Sequence, residues 1–588
     1  MTDGVTTIVD ELSLDQQLGL LLHPMVDIDE HTDVDSSSGF GGPTFRELIE
    51  GRGVRFIALR MIPSPRSTAV VLERLQVLAR STGSRLPIVF STDPRHSFTD
   101  NPAAAHSAQG VSQWPENIGL GAIGDEELVR RYGDIVRRDY LAMGIRMALH
   151  PQVDLATEPR WARQAQSFSS DAGETSRLLA AFLAGLQGPE LGPTSVAATV
   201  KHFPGGGPQL DGEDPHFPYG REQVYPAGRF EDHLAPFRVA IEAGVGAIMP
   251  YYGMPVGLSL DGRPVEEVGF SFNKQIITGL LREKLGYDGV VLTDFGLVTD
   301  VTVLGKPFPA KAWGVESLSP VERVGRLFAA GIDQLGGEGD VALLQAAVER
   351  GLIAPDRVAQ SARRIVRLMS SLGLMGSGNA PLVPAADAPR REDLLLGREA
   401  QARSVVVLDY APGGAPTLPL VGPHRVHLVG VSEAILPAGW SAAVADEADV
   451  AIVRVGAPFD ERDEYFLESG MQQGTLEFPA ETVDAIRALA EGSLPVVLVV
   501  HLSRPAILTP FVGHVAAIVA EFGILDEVLM EVLSGRAPAE GRLPFELPSS
   551  MNAVRDSAPD AANDSENPLF RVGTGIPLPA EDGPARRR

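Results

Sequence analysis

Short apolar runs that each end in polar or charged residues recur through the first two thirds of the chain, and they limit its fold more than any other feature. Val89-Phe90-Ser91-Thr92-Asp93, Ala148-Leu149-His150-Pro151-Gln152-Val153-Asp154, Val200-Lys201-His202-Phe203-Pro204, Ala247-Ile248-Met249-Pro250-Tyr251-Tyr252 and Val290-Val291-Leu292-Thr293-Asp294 share the pattern. Runs of this length bounded by turn residues fit strands buried on both faces. Segments of helical period, such as 125–143 and 273–285, lie between them. Regular alternation of strand and helix predicts a parallel sheet, because a parallel neighbour is reached only through a crossover. Further strand signals at 55–59 and 331–335 extend the series over residues 1–375. Its length and repeat number predict an α/β fold of the (β/α)8-type barrel, imperfect if a repeat departs from the pattern.

The helical period stops in Gly376-Ser377-Gly378-Asn379-Ala380-Pro381, and 376–391 has the composition of a linker. A second alternation then begins, with strand signals at 404–408, 425–429, 450–455, 495–500 and 515–519. It predicts a smaller α/β sandwich of parallel strands over 392–548, followed by a loosely ordered tail over 549–588, rich in Asp, Asn, Pro and Ala.

A chain of 588 residues is too long for one core, which agrees with two units. A formal charge of -26, with no basic cluster before Arg586-Arg587-Arg588, argues against a nucleic-acid surface. Without cysteine there is no disulfide, thiolate metal site or cysteine nucleophile. No stretch reaches the roughly 18 apolar residues of a membrane span, and Met1-Thr2-Asp3-Gly4-Val5 does not begin a signal peptide. The expected location is therefore cytoplasmic, with secretion left open if a leader has been trimmed.

If the first unit is a barrel, its strand ends bring Asp93, His150, Asp154, Lys201, His202, Tyr252 and Asp294 to one pocket. Carboxylates accept from vicinal hydroxyls while Lys and His donate to them, so the set suits a neutral, hydroxyl-rich ligand. Asp294 closes an apolar run, where a carboxylate is costly unless it is paired, caps a helix or is functional. One nucleophilic carboxylate with a second acidic group is what retaining glycoside hydrolysis requires, the two standing about 5 to 5.5 Å apart.

Four segments carry a resemblance: Thr157-Glu158-Pro159-Arg160-Trp161-Ala162-Arg163, Lys201-His202-Phe203, Ile248-Met249-Pro250-Tyr251-Tyr252 and Thr293-Asp294-Phe295. In that order they resemble glycoside hydrolase family 3, whose second domain is an α/β sandwich. The resemblance implies that Asp294 is the catalytic nucleophile. It further implies that Asp93, Arg163, Lys201, His202 and Tyr252 hold the innermost sugar, with Arg160 a competitor for Arg163 and Tyr251 for Tyr252. The acid/base would come from the second unit's loop after 451–456, where the aromatic-x-Glu spacing selects Glu461, ahead of Glu464 and Glu468. A second branch, the N-acetylhexosaminidases, implies an Asp-x-His instead, and here Asp214-Pro215-His216 follows the Lys-His loop.

Phe295 stands where the family more often has Trp, and Ser169-Ser170-Asp171 replaces a Gly-Glu-Asp-like turn. The implied activity is that of a retaining, exo-acting β-glucosidase; a β-N-acetylhexosaminidase and an inactive sugar-binding protein are the alternatives. Neither metal nor cofactor is needed for that chemistry. The expected partner is a glycoside, with no nucleic acid and no membrane, and a homodimer is the assembly to test for. Trp313, Tyr219 and Tyr225 are the aromatics available to an acceptor sugar.

Overall fold

The structure is a computed structural model describing residues 2–39, 42–84, 86–98, 110–375, 389–410, 417–492 and 494–580. Most of the expected linker, 376–388, therefore lies outside the described residues, and the helix Arg391–Ser404 follows it.

In the first unit a seven-stranded sheet runs in the order Val290–Val291, Ala247–Pro250, Ala197–Phe203, Ile145–Ala148, Val89–Thr92, Phe56–Met61, Met25–Asp27. Every pairing in it is parallel. Beyond Val291 the ladder carries on through a parallel bridge between Leu292 and Gln334. Leu335–Gly336 then pairs with Leu22–His23, the segment just ahead of Met25–Asp27.

The crossovers are amphipathic helices with local start and stop signals. Glu126–Met143 begins where the Asp125 side chain accepts from Leu128 N–H, and it ends at Gly144, whose φ of 90° is left-handed. Its buried stripe of Leu128, Val129, Tyr132, Ile135 and Val136 packs beside the helix Ala172–Leu186. Helices of this kind cover the sheet, so Ala197–Phe203 is buried along its whole length and only its end meets a cavity.

The second unit holds a six-stranded sheet in the order Val406–Tyr410, Ala517–Glu521, Val496–His501, Val450–Gly456, Arg425–Val429, Ser441–Ala442. Four of the five expected strands are parallel and Ser441–Ala442 joins them as a further parallel strand, whereas the expected strand at 404–408, observed as Val406–Tyr410, runs antiparallel to Ala517–Glu521. It is an edge strand, a common place for an antiparallel member in an otherwise parallel sheet.

The loosely ordered tail is corrected by the structure. Met551–Asp556 is a helix, and Val407–Ile576, Ala539–Leu578 and Leu547–Phe570 are backbone bridges. The buried Asp560 carboxylate accepts from Ala227 N–H and Arg229 N–H in the first unit. Polar residues that composition reads as solvated are here the acceptors for another element's backbone. Residues 581–588 lie outside the described residues.

Ser169 and Ser170 also join the units, since both hydroxyls donate to Pro544 O, at 3.0 and 3.2 Å. Asp171 accepts from Glu174 N–H and caps the helix that follows. Among the described residues no helix is long and apolar enough to cross a membrane.

Candidate active site

A cavity of about 1030 Å³ opens over the strand ends, lined by Asp93, His150, Arg163, Lys201, His202, Tyr252 and Asp294 among others. Lys201 and His202 leave the same strand end but meet different carboxylates. Lys201 Nζ lies 2.6 Å from Asp93 Oδ1, and His202 Nδ1 lies 2.7 Å from Asp154 Oδ2. Asp154 is fully buried beneath the cavity, where its Oδ1 accepts the backbone N–H of His202 and of Gly206. A Cβ on Gly206 would lie 2.9 Å from the Tyr251 ring and 3.1 Å from the Asp154 carboxyl, so this approach requires glycine.

Burial pushes Asp154 up to about 7 against the pull of those backbone donors. Burial, with Arg163 and Lys201 nearby, holds His202 well below the usual imidazole range. The imidazole is thus neutral, its Nδ1 engaged by Asp154 and its Nε2 turned to Asp294 Oδ2 at 3.5 Å.

Asp294 does not start a helix, which removes the capping explanation for it. Its Oδ1 accepts from Tyr252 OH at 2.8 Å and from Phe295 N–H at 2.7 Å, leaving Oδ2 without a close donor. The tyrosine pair divides its work: Tyr252 holds Asp294, whereas Tyr251 OH donates to Asp214 Oδ2 at 3.1 Å and its ring packs 4.5 Å from His202.

The Arg163 guanidinium lies 5.8 Å from the Tyr251 ring centroid and donates to Gln166 Oε1. Burial alone would lower its pKa, but Tyr251, Asp214, Asp294 and Asp154 hold it above the ordinary arginine value. Arg160 instead pairs with Glu158 and Asp211 and lines a separate surface pocket. His150 accepts from or donates to Tyr140 OH at 3.1 Å and is pushed below the imidazole range by burial and Lys201.

The acid/base candidates fare differently. Glu461 and Glu464 are exposed and do not line the cavity. Glu468 is buried in its own loop, where it accepts from Tyr219 OH at 2.6 Å and from the backbone of Glu464 and Tyr465. Arg462 fixes the loop by gripping Glu213 at 2.6 and 2.9 Å, and this arrangement turns Phe466 and Leu467 toward the cavity.

Asp214 is fully buried and accepts four bonds, from His216 N–H, His216 Nδ1, Trp161 Nε1 and Tyr251 OH. Burial would raise its pKa, yet His216 and Arg163 hold it well below the carboxylate range. His216 lines the cavity and lies edge-on to Tyr252, with centroids 4.7 Å apart. Of the acid/base residues expected from the sequence, only His216 lines the cavity holding Asp294.

Residues 46–368 match the glycosyl hydrolase family 3 N-terminal domain, and residues 397–577 match its C-terminal domain. The chain belongs to glycosyl hydrolase family 3. Beta-glucosidase C of Emericella nidulans is 40% identical over 584 residues, covering 98% of this chain and 92% of that one. A periplasmic beta-glucosidase/beta-xylosidase of Dickeya chrysanthemi is 38% identical over 551 residues, covering 90% and 83%. The crystal structure of a beta-glucosidase from Listeria innocua in complex with glucose superposes with a TM-score of 0.76 at 18% identity, covering 98% of this chain and 83% of that one, and shows likeness of fold. The expectation of a cytoplasmic location is corrected by this comparison: the Dickeya family 3 enzyme is periplasmic, which points outside the cytoplasm.

In this family 3 chain the structure also adds groups that the motifs did not reveal. The hairpin Val301–Val303 and Lys306–Phe308 lines the mouth through Val301, Leu304 and Phe308. Lys311 is fully buried behind Phe308, and Glu338 lines the cavity just past the strand Leu335–Gly336. Glu338 could have been found by the same strand-end pattern that identified Asp294, had the series been followed two residues beyond Leu335-Gly336. Trp313 donates to Pro215 O, Tyr219 stacks on Phe217 and Tyr225 packs on Phe230; none of the three lines this cavity.

Proposed function

We propose that the chain is a retaining, exo-acting β-glucosidase that releases terminal β-D-glucose through a glycosyl ester on Asp294. Its first unit, 1–375, would act as a (β/α)8-type barrel and the unit over 392–548 would complete the cavity wall. The observation that carries the reading is the state of Asp294. Two donors fix Oδ1, which leaves Oδ2 as the oxygen able to attack an anomeric carbon. Around it, Asp93, Lys201, His202 and Arg163 offer acceptors and donors for the hydroxyls of one sugar.

Relatives that span the chain are beta-glucosidases by name, so the N-acetylhexosaminidase reading is not favoured even though His216 lines the cavity. Asp294→Ala should lower kcat for an aryl β-glucoside by at least about 10⁴-fold, the scale on which catalytic units fail. Trapping with a 2-fluoroglucosyl donor and peptide mapping should label Asp294. Near wild-type turnover by the variant, or a label on another residue, would overturn the assignment.

A further inference from the structure

The backbone leading to Glu338 runs beside the turn that carries Asp294. Leu292 bridges Gln334, Thr293 N–H donates to Gln334 O at 2.9 Å, and Gly336 N–H donates to Thr293 Oγ1 at 2.8 Å. The approach is tight: a Cβ on Gly337, whose φ is +77°, would lie 3.2 Å from Gly296 N and 3.3 Å from the Phe295 side chain. Only glycine tolerates both that conformation and that contact, and the chain then delivers Glu338 to the cavity that Asp294 lines.

The other described carboxylates of that cavity are engaged. Asp93 meets Lys201 and Asp27 meets Arg60. Glu116 accepts from Phe98 N–H, Asp294 from Tyr252 OH, and Asp340 from Ala342 N–H at a helix start. Among the described residues Glu338 makes no hydrogen bond or ion pair. A half-buried carboxyl without a partner is costly when ionised, and burial, with Asp340 adding, pushes it up to about 7. That is the range in which a carboxylic acid can protonate a leaving group and later accept the proton back.

We propose that Glu338 is the general acid and base of the reaction; the proposal rests on the β-glucosidase reading with Asp294 as nucleophile. In the first step Asp294 Oδ2 bonds to C1 while the bond from C1 to the leaving oxygen breaks, and the Glu338 proton passes to that oxygen. In the second, the Glu338 carboxylate takes a proton from water as the water oxygen bonds to C1 and the ester bond to Asp294 breaks. Glucose departs, with Glu338 protonated and Asp294 ionised again.

The test compares wild type, Glu338→Gln, Glu338→Ala and His216→Asn on 2,4-dinitrophenyl β-glucoside and on methyl β-glucoside. Both Glu338 variants should lose about 10²- to 10⁴-fold in kcat/KM on the methyl glucoside, the usual worth of general acid catalysis. They should stay within about tenfold of wild type in kcat/KM on the dinitrophenyl glucoside, which needs no protonation to leave. That retained step also shows that the variants fold. Azide should raise turnover of Glu338→Ala and yield β-glucosyl azide, and the alkaline limb of the pH profile should disappear. Equal losses on both substrates, no azide product, or this whole signature in His216→Asn would overturn the proposal. Failure of the wild type to be labelled at Asp294 by a 2-fluoroglucosyl donor would instead bring down the β-glucosidase reading, and this one with it.

Discussion

The two walls of the cavity differ in how their charges are accompanied. On one, Lys201 and Asp93 stand 2.6 Å apart and His202 is held by Asp154. On the other, Glu338 has no hydrogen-bond or ion-pair partner among the described residues, and behind Phe308 the fully buried Lys311 amine lies 3.1 Å from that ring's centroid with no hydrogen-bond acceptor among them. A hydrogen-bonded pair keeps its direction, which suits a wall that must hold a sugar in one pose. An unpaired group near a low-dielectric wall trades its charge for neutrality, as Glu338 and Lys311 both do at about 7. The first arrangement orients, and the second holds groups that titrate near neutrality.

The strongest way to break this contrast is Lys201→Met, which leaves the buried Asp93 carboxylate alone. Removing one partner of a buried pair costs about 3–5 kcal/mol of stability, and with the sugar no longer held in position kcat/KM for an aryl β-glucoside should fall by about 10²-fold or more. Adding Asp93→Asn should restore part of the thermal stability lost in the single variant, though not the activity. A loss below tenfold for Lys201→Met would mean that the pair does not organise the wall.

Legibility in the sequence follows the same division. An apolar run with a polar ending is a local signal, and it located Asp93, Lys201, His202, Tyr252 and Asp294, all of which line the cavity. The strands of the first unit were legible for the same reason. Other features depend on residues far apart in sequence. Whether Glu461 faces the cavity depends on Arg462 meeting Glu213, 249 positions away. Whether 549–580 is ordered depends on Asp560 finding Ala227 N–H, 333 positions away. The antiparallel sense of Val406–Tyr410 is a tertiary choice that five apolar strand signals leave open. Asp154 was expected in the pocket itself, but it lies beneath, acting through His202.

A smaller effect should separate Lys311 from the paired lysine. Its folded pKa of about 7 lies below the ordinary lysine value, because burial outweighs the pull of Asp294, Asp214 and Asp300. Between pH 7 and the lysine range the unfolded chain then binds more protons than the folded one, so this site makes stability rise with pH in that window. Below pH 7 the cost of burying the charged amine is present in full. Lys311→Met should therefore stabilise the protein by about 1–4 kcal/mol at pH 6 and by less at pH 9. Differential scanning fluorimetry across that range checks it, and a gain in Tm that does not change with pH would count against a buried, titrating amine.

The smallest effect belongs to the contact between the two units over the cavity mouth. Lys306 in the hairpin pairs with Asp463 of the second unit, but both side chains are largely in solvent, 36% and 64% exposed. Exposed pairs contribute about 0–1 kcal/mol and are screened by salt. The same junction also has Phe466 N–H donating to Pro307 O at 2.9 Å and the Phe466 ring edge-on to Phe308 at 5.6 Å. These contacts are short-ranged and insensitive to ionic strength. Lys306→Ala should thus leave kcat unchanged and shift KM by no more than about twofold, a difference that vanishes in 1 M salt. Phe466→Ala, which removes the ring contact, should raise KM more, and salt should not restore it. If Lys306→Ala has the larger effect, the mouth is held by its charge pair, and the contrast between orienting pairs inside and dispensable pairs at the surface fails there.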